Sequence, residues 1–248
     1  MHRFYISPEN WNPDALTLSE SEAHHARDVL RMERGAKLVV FNGLGREITA
    51  EVVDLREKNE IRLRKLHEAQ TAPLKCRITL GQAIPKGKNM DLIVQKAVEI
   101  GASEIAPLIS ERTIVDLDAK DAEQKQAKWQ QVAIEAAKQC GQNWLPQVRT
   151  PRKLKDFFAG TSNSDLQLIG SLQSDAQHLK KILADYVEAN ASPARTVLML
   201  IGPEGDFTPA ELALAKSHGC RPITLGPIIL RVETAAIYCL SVLSYELL

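Results

Sequence analysis

Leu200-Ile201-Gly202-Pro203-Glu204-Gly205-Asp206-Phe207-Thr208-Pro209-Ala210-Glu211 is the stretch on which the fold turns. The aliphatic run that leads into it, residues 196–201, reads as a buried strand, and a Gly-Pro-x-Gly turn follows. Thr208 and Glu211 then stand at the spacing in which two side chains satisfy free amides at a helix start, with Pro209 at the first helical position. Strand, glycine turn and capped helix together are one step of an α/β sheet. Working outward, the same alternation recurs, with strands at 77–83, 104–108, 166–170 and 222–225. Helices fall between them at 90–100, 125–140, 179–187 and 209–218, and a last helix runs from Glu233 onward. The alternation predicts a parallel sheet, with residues 73–248 as one α/β domain.

Upstream, residues 1–72 have a different rhythm, in which short alternating stretches at 37–42, 46–55 and 60–67 predict a small β domain. Asn42-Gly43 is a tight-turn signal between the first two. One helix is expected at 20–31, opened by Ser19 and Glu22 in a capping-box spacing.

Hydrophobic residues at 44% and charged residues at 25% describe an ordinary globular chain and exclude extended disorder. Thirty-one basic residues balance 31 acidic ones, so a nucleic-acid partner has to be met by a local surface. Such a surface is available in sequence. From residue 62 to 88, Arg62, Arg64, Lys65, Lys75, Arg77, Lys86 and Lys88 are opposed by Glu68 alone, which makes a candidate phosphate-binding strip, although a solvated face would read the same way. Arg149, Arg152, Lys153 and Lys155 form a second cluster open to the same two readings. Cys76, Cys140, Cys220 and Cys239 make no CxxC pair, so they are expected as buried thiols in a reducing cytosol, with no metal site. The first 18 residues carry charges and prolines where a signal peptide would be apolar, and the run 197–201 is too short to span a bilayer, so a soluble cytoplasmic protein with no membrane partner is expected. Residues 159–165 read as a polar loop.

In an open α/β sheet, ligands sit beyond the carboxyl ends of the strands, which directs attention to the loops after Ile169, Ile201 and Leu225. The second of these is glycine-rich and feeds a helix start, letting backbone amides approach a ligand, but it is neither the dinucleotide nor the triphosphate loop pattern. The third reads Leu225-Gly226-Pro227-Ile228-Ile229-Leu230-Arg231-Val232-Glu233-Thr234-Ala235. Its Gly-Pro turn and apolar run suit a flat apolar group such as an adenine ring. Arg231 and Glu233 fit either a site for chemistry or a salt bridge that holds the last helix.

Taken in order, these segments resemble a known family. Leu200 to Gly205, Leu225-Gly226, Leu230-Arg231 and Glu233-Thr234-Ala235, preceded by Arg3-Phe4, His25, Val29-Leu30-Arg31, Gly35, Gln95-Lys96-Ala97, Glu99, Gly101, Pro107, Glu135-Ala136, Gln139 and Pro146, are similar to the signature of the ribosomal RNA small subunit methyltransferase E family of the SPOUT superfamily. The resemblance implies an amino-terminal PUA-like β-barrel for RNA, an α/β domain tied in a trefoil knot, a homodimer, and S-adenosylmethionine as methyl donor. Its substrate would be 16S ribosomal RNA in the small subunit and its product N3-methyluridine. General topology disfavours knots, so that expectation comes from the resemblance alone.

The loops chosen from sheet geometry coincide with those the resemblance implies. The expected cofactor residues are Ile169, Gly170, Ile201, Gly202, Pro203, Glu204, Gly205, Leu225, Gly226, Leu230, Thr234 and Ala235. Arg231 is the candidate to stabilise charge on the uracil carbonyls as N3 loses its proton, and Glu204 and Glu233 are the candidate proton acceptors or base-positioning groups. Arg3, Arg31, Arg62, Arg64, Lys65, Lys86 and Lys88 are the candidate RNA contacts. Four positions depart from the family pattern: Asp206 replaces a second glycine, Ile228 an arginine, Val232 a threonine and Gln142 an arginine. The two lost guanidiniums leave room for two other readings, a noncatalytic RNA-binding assembly factor and a methyltransferase with a different RNA target.

Overall fold

The computed structural model describes residues 1–57, 59–113, 117–160 and 164–248. Two compact units account for the chain, one of Met1–Pro73 with Ile134–Leu145 and one of Leu74–Ala133 with Pro146–Leu248. The centre of the polar loop expected at 159–165 lies outside the described residues.

The first unit contains β1 (Arg3–Tyr5), β2 (Thr17–Ser19), α1 (Glu20–His24), β3 (Lys37–Phe41), β4 (Arg46–Asp54) and β5 (Glu60–Gln70). Its five strands form one sheet in the order β1-β3-β4-β5-β2, with β1 parallel to β3 and the other pairs antiparallel. The period-2 pattern of β4 puts Ile48, Ala50 and Val52 inside, against Phe4, Leu18, Leu38, Val40 and Ile61. The turn from β3 to β4 forms at Asn42-Gly43 as its sequence predicts: Gly43 sits at φ 72°, and Asn42 Oδ1 accepts from the Leu44 and Arg46 amides at 2.9 and 3.1 Å.

The helix expected at 20–31 divides into α1 and a π-helical turn, His25–Val29. Ser19 does not cap it. Ser19 is the last residue of β2, Glu20 takes φ 48°, and the Glu20 amide donates to the Asn59 carbonyl at 3.1 Å, so a tertiary hydrogen bond sets the helix start in place of a side chain. The segment 134–145 returns to this unit, although nothing in its sequence announces the return. Asn143 Nδ2 donates to Glu47 Oε2 at 2.9 Å and to Thr71 Oγ1 at 2.8 Å, and Lys138 Nζ donates to Glu22 Oε1 at 3.0 Å.

The second unit carries β6 (Arg77–Ala83), α2 (Asn89–Ile100), β7 (Glu104–Ile109), the first part of α3 (Ala119–Cys140), β8 (Gln147–Val148), β9 (Arg152–Lys153) and α4 (Leu154–Ala159). It continues with β10 (Leu166–Gly170), β11 (Gln177–His178), α5 (Leu179–Asn190), β12 (Thr196–Ile201), α6 (Pro209–Ser217), β13 (Arg221–Thr224) and α7 (Val232–Leu247). The strands lie in the order β11-β13-β10-β12-β6-β7-β8, with β9 also on β7, and every pairing is parallel. β12 is buried along nearly its whole length, as expected of a strand covered on both faces. Gly101 at φ 95° stops α2. α3 begins a turn and a half before the expected residue 125, where Asp118 Oδ1 accepts from the Asp121 amide at 2.7 Å.

Cys76, Cys220 and Cys239 are buried as expected, but Cys140, on the last turn of α3, is exposed. Burial pushes the Cys76 thiol up to about 11 and those of Cys220 and Cys239 up to about 12, which leaves these three unreactive near neutral pH. Among the described residues, no helix is long and apolar enough to cross a membrane.

Candidate active site

Three loops leave the carboxyl ends of β10, β12 and β13 and surround one cavity of about 490 Å³. Of the residues expected there, Gly170, Ile201, Gly202, Pro203, Glu204, Leu225, Gly226, Leu230 and Ala235 line it, together with Arg231 and Glu233. Three do not. Ile169 points into the core with Phe157 and Leu198, because alternate residues of β10 face opposite ways. Gly205 faces Arg112, whose Cδ would lie 3.3 Å from an added Cβ, and Thr234 is on the exposed side of the first turn of α7. The structure adds Ser171, Leu172, Thr224, Asp206, Ile228, Ile229 and Val232, which lie within or beside the expected loops, and Asn89, which no sequence signal marks.

Local chemistry fixes the shape of the loops. In 202–206 the left-handed residue is Asp206, at φ 61°, and neither glycine has positive φ. Asp206 tolerates that conformation because its Oδ1 accepts from the Phe207 amide at 2.8 Å, which explains how it stands where the family pattern has glycine. Space at Gly202 is tight: an added Cβ would lie 3.2 Å from both the Phe207 nitrogen and Asp206 Oδ1, so these neighbours would have to give by a few tenths of an ångström. Gly226, at φ 113°, does need glycine's freedom.

Behind the loop, the expected capping box forms, with the Glu211 amide donating to Thr208 Oγ1 at 3.3 Å and Glu211 Oε2 accepting from the Thr208 amide at 2.9 Å. Glu211 is only 6% exposed. Its carboxylate also accepts from Ser110 Oγ at 3.0 Å and the Glu111 amide at 3.0 Å, and Arg112 donates to the Gly205 carbonyl, so the segment after β7 is tied to the loop after β12.

Two acids of the cavity, Glu204 and Glu233, are held by the segment before α2 and by the first residue of that helix. Glu204 Oε1 accepts from the Lys86 amide at 2.9 Å, and Glu233 Oε2 accepts from Asn89 Nδ2 at 3.2 Å. Arg231 precedes α7 as its N-cap residue and is exposed. Among the described residues it pairs with no carboxylate, so the Arg231–Glu233 salt bridge open in the sequence does not form. Leu172, Ile228 and Ile229 are 66, 74 and 76% exposed, an apolar wall open to solvent. No group of metal-ligating side chains occurs among the described residues.

The basic strip reads differently in three dimensions. Arg62, Arg64 and Lys65 belong to β5 of the first unit, and Lys75, Arg77, Lys86 and Lys88 to the second. Each of the first three has an acid partner: Arg62 with Glu60 at 3.2 Å, Arg64 with Glu51 at 2.7 Å and Lys65 with Glu68 at 3.3 Å. Glu51 lies directly across the ladder from Arg64, a pairing that counting charge along the chain misses. Arg3 is engaged too, donating to Glu47 at 2.9 Å and Asn143 at 2.5 Å over the ring of Phe41. Arg31, Lys86 and Lys88 are exposed.

This all-parallel unit, with its ligand cavity at the carboxyl edge of the sheet, is of the class described as an RNA methyltransferase domain, whose family pattern matches residues 72–244; that described as an RNA methyltransferase PUA domain matches residues 18–66. Relatives named ribosomal RNA small subunit methyltransferase E are 32% identical in Synechocystis, over 94% of this chain and 74% of the relative, and 30% identical in Buchnera aphidicola (from Acyrthosiphon pisum), over 97% and 92%. The enzyme of that name from Neisseria gonorrhoeae, solved bound to S-adenosylmethionine, superposes with a TM-score of 0.86 at 32% identity, covering 100% of this chain and 98% of its own. A Legionella pneumophila protein, solved in complex with the same cofactor, also gives 0.86, at 34% identity, covering 98% and 97%. The chain belongs to the ribosomal RNA small subunit methyltransferase E family.

Proposed function

We propose that this chain transfers the methyl group of S-adenosylmethionine to N3 of a uridine in 16S ribosomal RNA of the small subunit. One observation carries the reading: the loops after β10, β12 and β13 surround a cavity of about 490 Å³ that combines an apolar wall, glycine backbone and four charged side chains, Glu204, Asp206, Arg231 and Glu233. Its volume lies in the range of roughly 300 to 1,000 Å³ usual for small-molecule sites. Gly226 leaves open space on the side where a Cβ would stand, so a ligand can meet the backbone there, and Leu225, Ile228, Ile229 and Leu230 offer the aliphatic surface an adenine needs. The residues therefore fit the cofactor, with Gly170, Ile201, Gly202, Pro203, Leu225, Gly226 and Leu230 as its contacts.

The bound sulfonium supplies an electrophilic methyl group that needs no protein nucleophile, in keeping with three buried, high-pKa cysteines. The protein's work is to hold the uracil in line and to ease loss of the N3 proton. Arg231, which pairs with no carboxylate among the described residues, stabilises the negative charge that spreads over O2 and O4. Glu204 and Glu233 accept the proton or position the base. The N3–H bond breaks, the N3–methyl bond forms with the nitrogen's electron pair, and the sulfur keeps the pair of the broken S–CH3 bond.

We further propose that the amino-terminal sheet closes as a PUA-like barrel and binds RNA, with Arg31, Arg62, Arg64 and Lys65, while Lys86 and Lys88 hold RNA near the cavity. The carboxy-terminal loops form the SPOUT trefoil knot, and the protein acts in the cytoplasm as a homodimer. On α7, Tyr238 and Tyr245 are 40 and 89% exposed, and Leu92 on α2 is 41% exposed, apolar surface that supports pairing. Calorimetry with S-adenosylmethionine and its demethylated product tests the site. Micromolar binding is expected, and a folded protein that binds neither at millimolar concentration refutes the reading. A second reading, an assembly factor without chemistry, is favoured by the apolar Ile228 in place of an arginine; it predicts small-subunit binding with no methyl transfer.

A further inference from the structure

The polar side chains that line the cavity divide into two sets. Most are already committed to backbone. Ser171 Oγ accepts from the Gln173 amide at 3.1 Å, and Thr224 Oγ1 is bonded to Gly226 in both directions, at 3.3 and 3.4 Å. Asp206 Oδ1 accepts from Phe207 and Glu204 Oε1 from Lys86, at 2.8 and 2.9 Å. Among the described residues, the lining nitrogen donors that no backbone group engages are the guanidinium of Arg231 and the amide of Asn89; the Ser171 hydroxyl, whose oxygen takes the Gln173 amide, keeps its own hydrogen to donate.

Glu233 fixes which end of that amide is which. A carboxylate only accepts, so the Asn89 group facing it at 3.2 Å is the NH2, and one N–H of that nitrogen remains open. Arg231 and Glu233 are two residues apart at the start of α7. The cavity thus presents two nitrogen donors, Asn89 on α2 and Arg231 before α7, beside one carboxylate that orients the first.

We propose that Asn89 and Arg231 together read the two carbonyls that flank N3 of uracil, and that Glu233 is a positioning residue for Asn89. This rests on the uridine reading given above. Uracil offers an acceptor on each side of N3, whereas cytosine replaces one carbonyl with an amino group that would face a donor with a donor, so the pair selects uridine. As the N3–H bond breaks and its proton passes to Glu204, a carboxylate not committed to Asn89, charge grows on both carbonyl oxygens, where the two donors stabilise it. N3 itself stays open for the methyl group.

The test compares the full-length parent, Asn89→Ala and Asn89→Asp on 30S subunits lacking the modification. Methyl transfer is followed against pH, and binding of the demethylated cofactor is measured by calorimetry. Asn89→Ala is expected to keep cofactor affinity within threefold while kcat at neutral pH falls about tenfold, and its alkaline rise moves up by about one pH unit because the anion has lost a donor. Asn89→Asp, which sets a second carboxylate beside Glu233, should fall at least tenfold further. On subunits whose target uridine is replaced by cytidine, the parent should be inactive. Asn89→Ala at the parental rate and pH profile overturns the proposal, as does a parallel loss of cofactor binding, which would make Asn89 structural. A parent that binds cofactor and transfers no methyl to the unmodified subunits overturns the underlying reading instead.

Discussion

Replacing Glu211 should destabilise the catalytic unit far more than an ordinary helix-start substitution. Its carboxylate is nearly inaccessible and accepts from Ser110 Oγ, the Glu111 amide and the Thr208 amide. Glu211→Ala leaves those three donors without an acceptor. A buried donor left unsatisfied costs about 1 to 3 kcal/mol, and water entering the small void recovers part of it, so a total of about 4 kcal/mol is expected. With a urea dependence at the upper end for small proteins, about 3 kcal/mol per molar, the midpoint should fall by about 1.3 M without a change in slope. Glu211→Gln keeps one oxygen for Ser110 and Thr208 but turns an NH2 toward the Glu111 amide. About half the loss should remain. Urea unfolding followed by far-ultraviolet circular dichroism measures both, and an alanine variant within 1 kcal/mol of the parent would refute the reasoning.

Other outcomes follow from single residues. Asp206→Gly should leave stability within 0.5 kcal/mol of the parent, whereas Asp206→Ala should lose about 1 kcal/mol by thermal unfolding, since alanine keeps the φ of 61° without the hydrogen bond to Phe207. Gly226→Ala should weaken cofactor binding about tenfold by calorimetry, through backbone strain at φ 113° and through the added carbon filling the space where the ligand meets the backbone, with no clash against the protein itself because none of its atoms lies within 4 Å. Burial alone would raise the Glu47 carboxyl, but hydrogen bonds from Asn143 and Arg3 and the Arg3 charge outweigh it and hold the group below its usual 4.5. A depressed carboxyl stabilises the fold above its unfolded pKa, and that contribution disappears as pH falls through the folded value. Stability of the first unit should therefore drop below about pH 4.5, and Glu47→Gln should flatten that limb of the urea-midpoint profile. One equivalent of a thiol alkylating agent should react at pH 8, at Cys140, with the three buried thiols protected; mass spectrometry that finds a second adduct on folded protein contradicts the burial assignment.

Much of this architecture is legible in the sequence because local signals carry it. Buried strand runs such as 196–201, the Thr208–Glu211 capping box and the Gly101 stop are each readable within a few residues, and their alternation implies the parallel sheet. What escapes is what distant residues decide. Ser19 and Glu22 have the letters of a capping box, but Ser19 is drawn into β2 and the Asn59 carbonyl takes the Glu20 amide. The segment 134–145 joins the first unit through Asn143, a contact with Glu47 and Thr71 that no local pattern records. At the cavity, the glycine and apolar loops are visible as motifs, whereas Asn89 enters from a helix 144 positions before Glu233. Ile169 faces the core, since in a strand only every second side chain faces a given side, an alternation that the loop motif alone does not phase.

The chemistry proposed for this cavity is methylation of N3 of a uridine in the small-subunit RNA. Purified protein, S-adenosylmethionine with a labelled methyl group, and 30S subunits from a strain lacking the modification test it directly, with the digested RNA read by mass spectrometry. One labelled N3-methyluridine per 16S molecule is expected, and with Arg231→Ala a rate lower by about two orders of magnitude despite unchanged cofactor binding. Label on a ribose or on another base, or no label while the cofactor binds and the subunits associate, would contradict it.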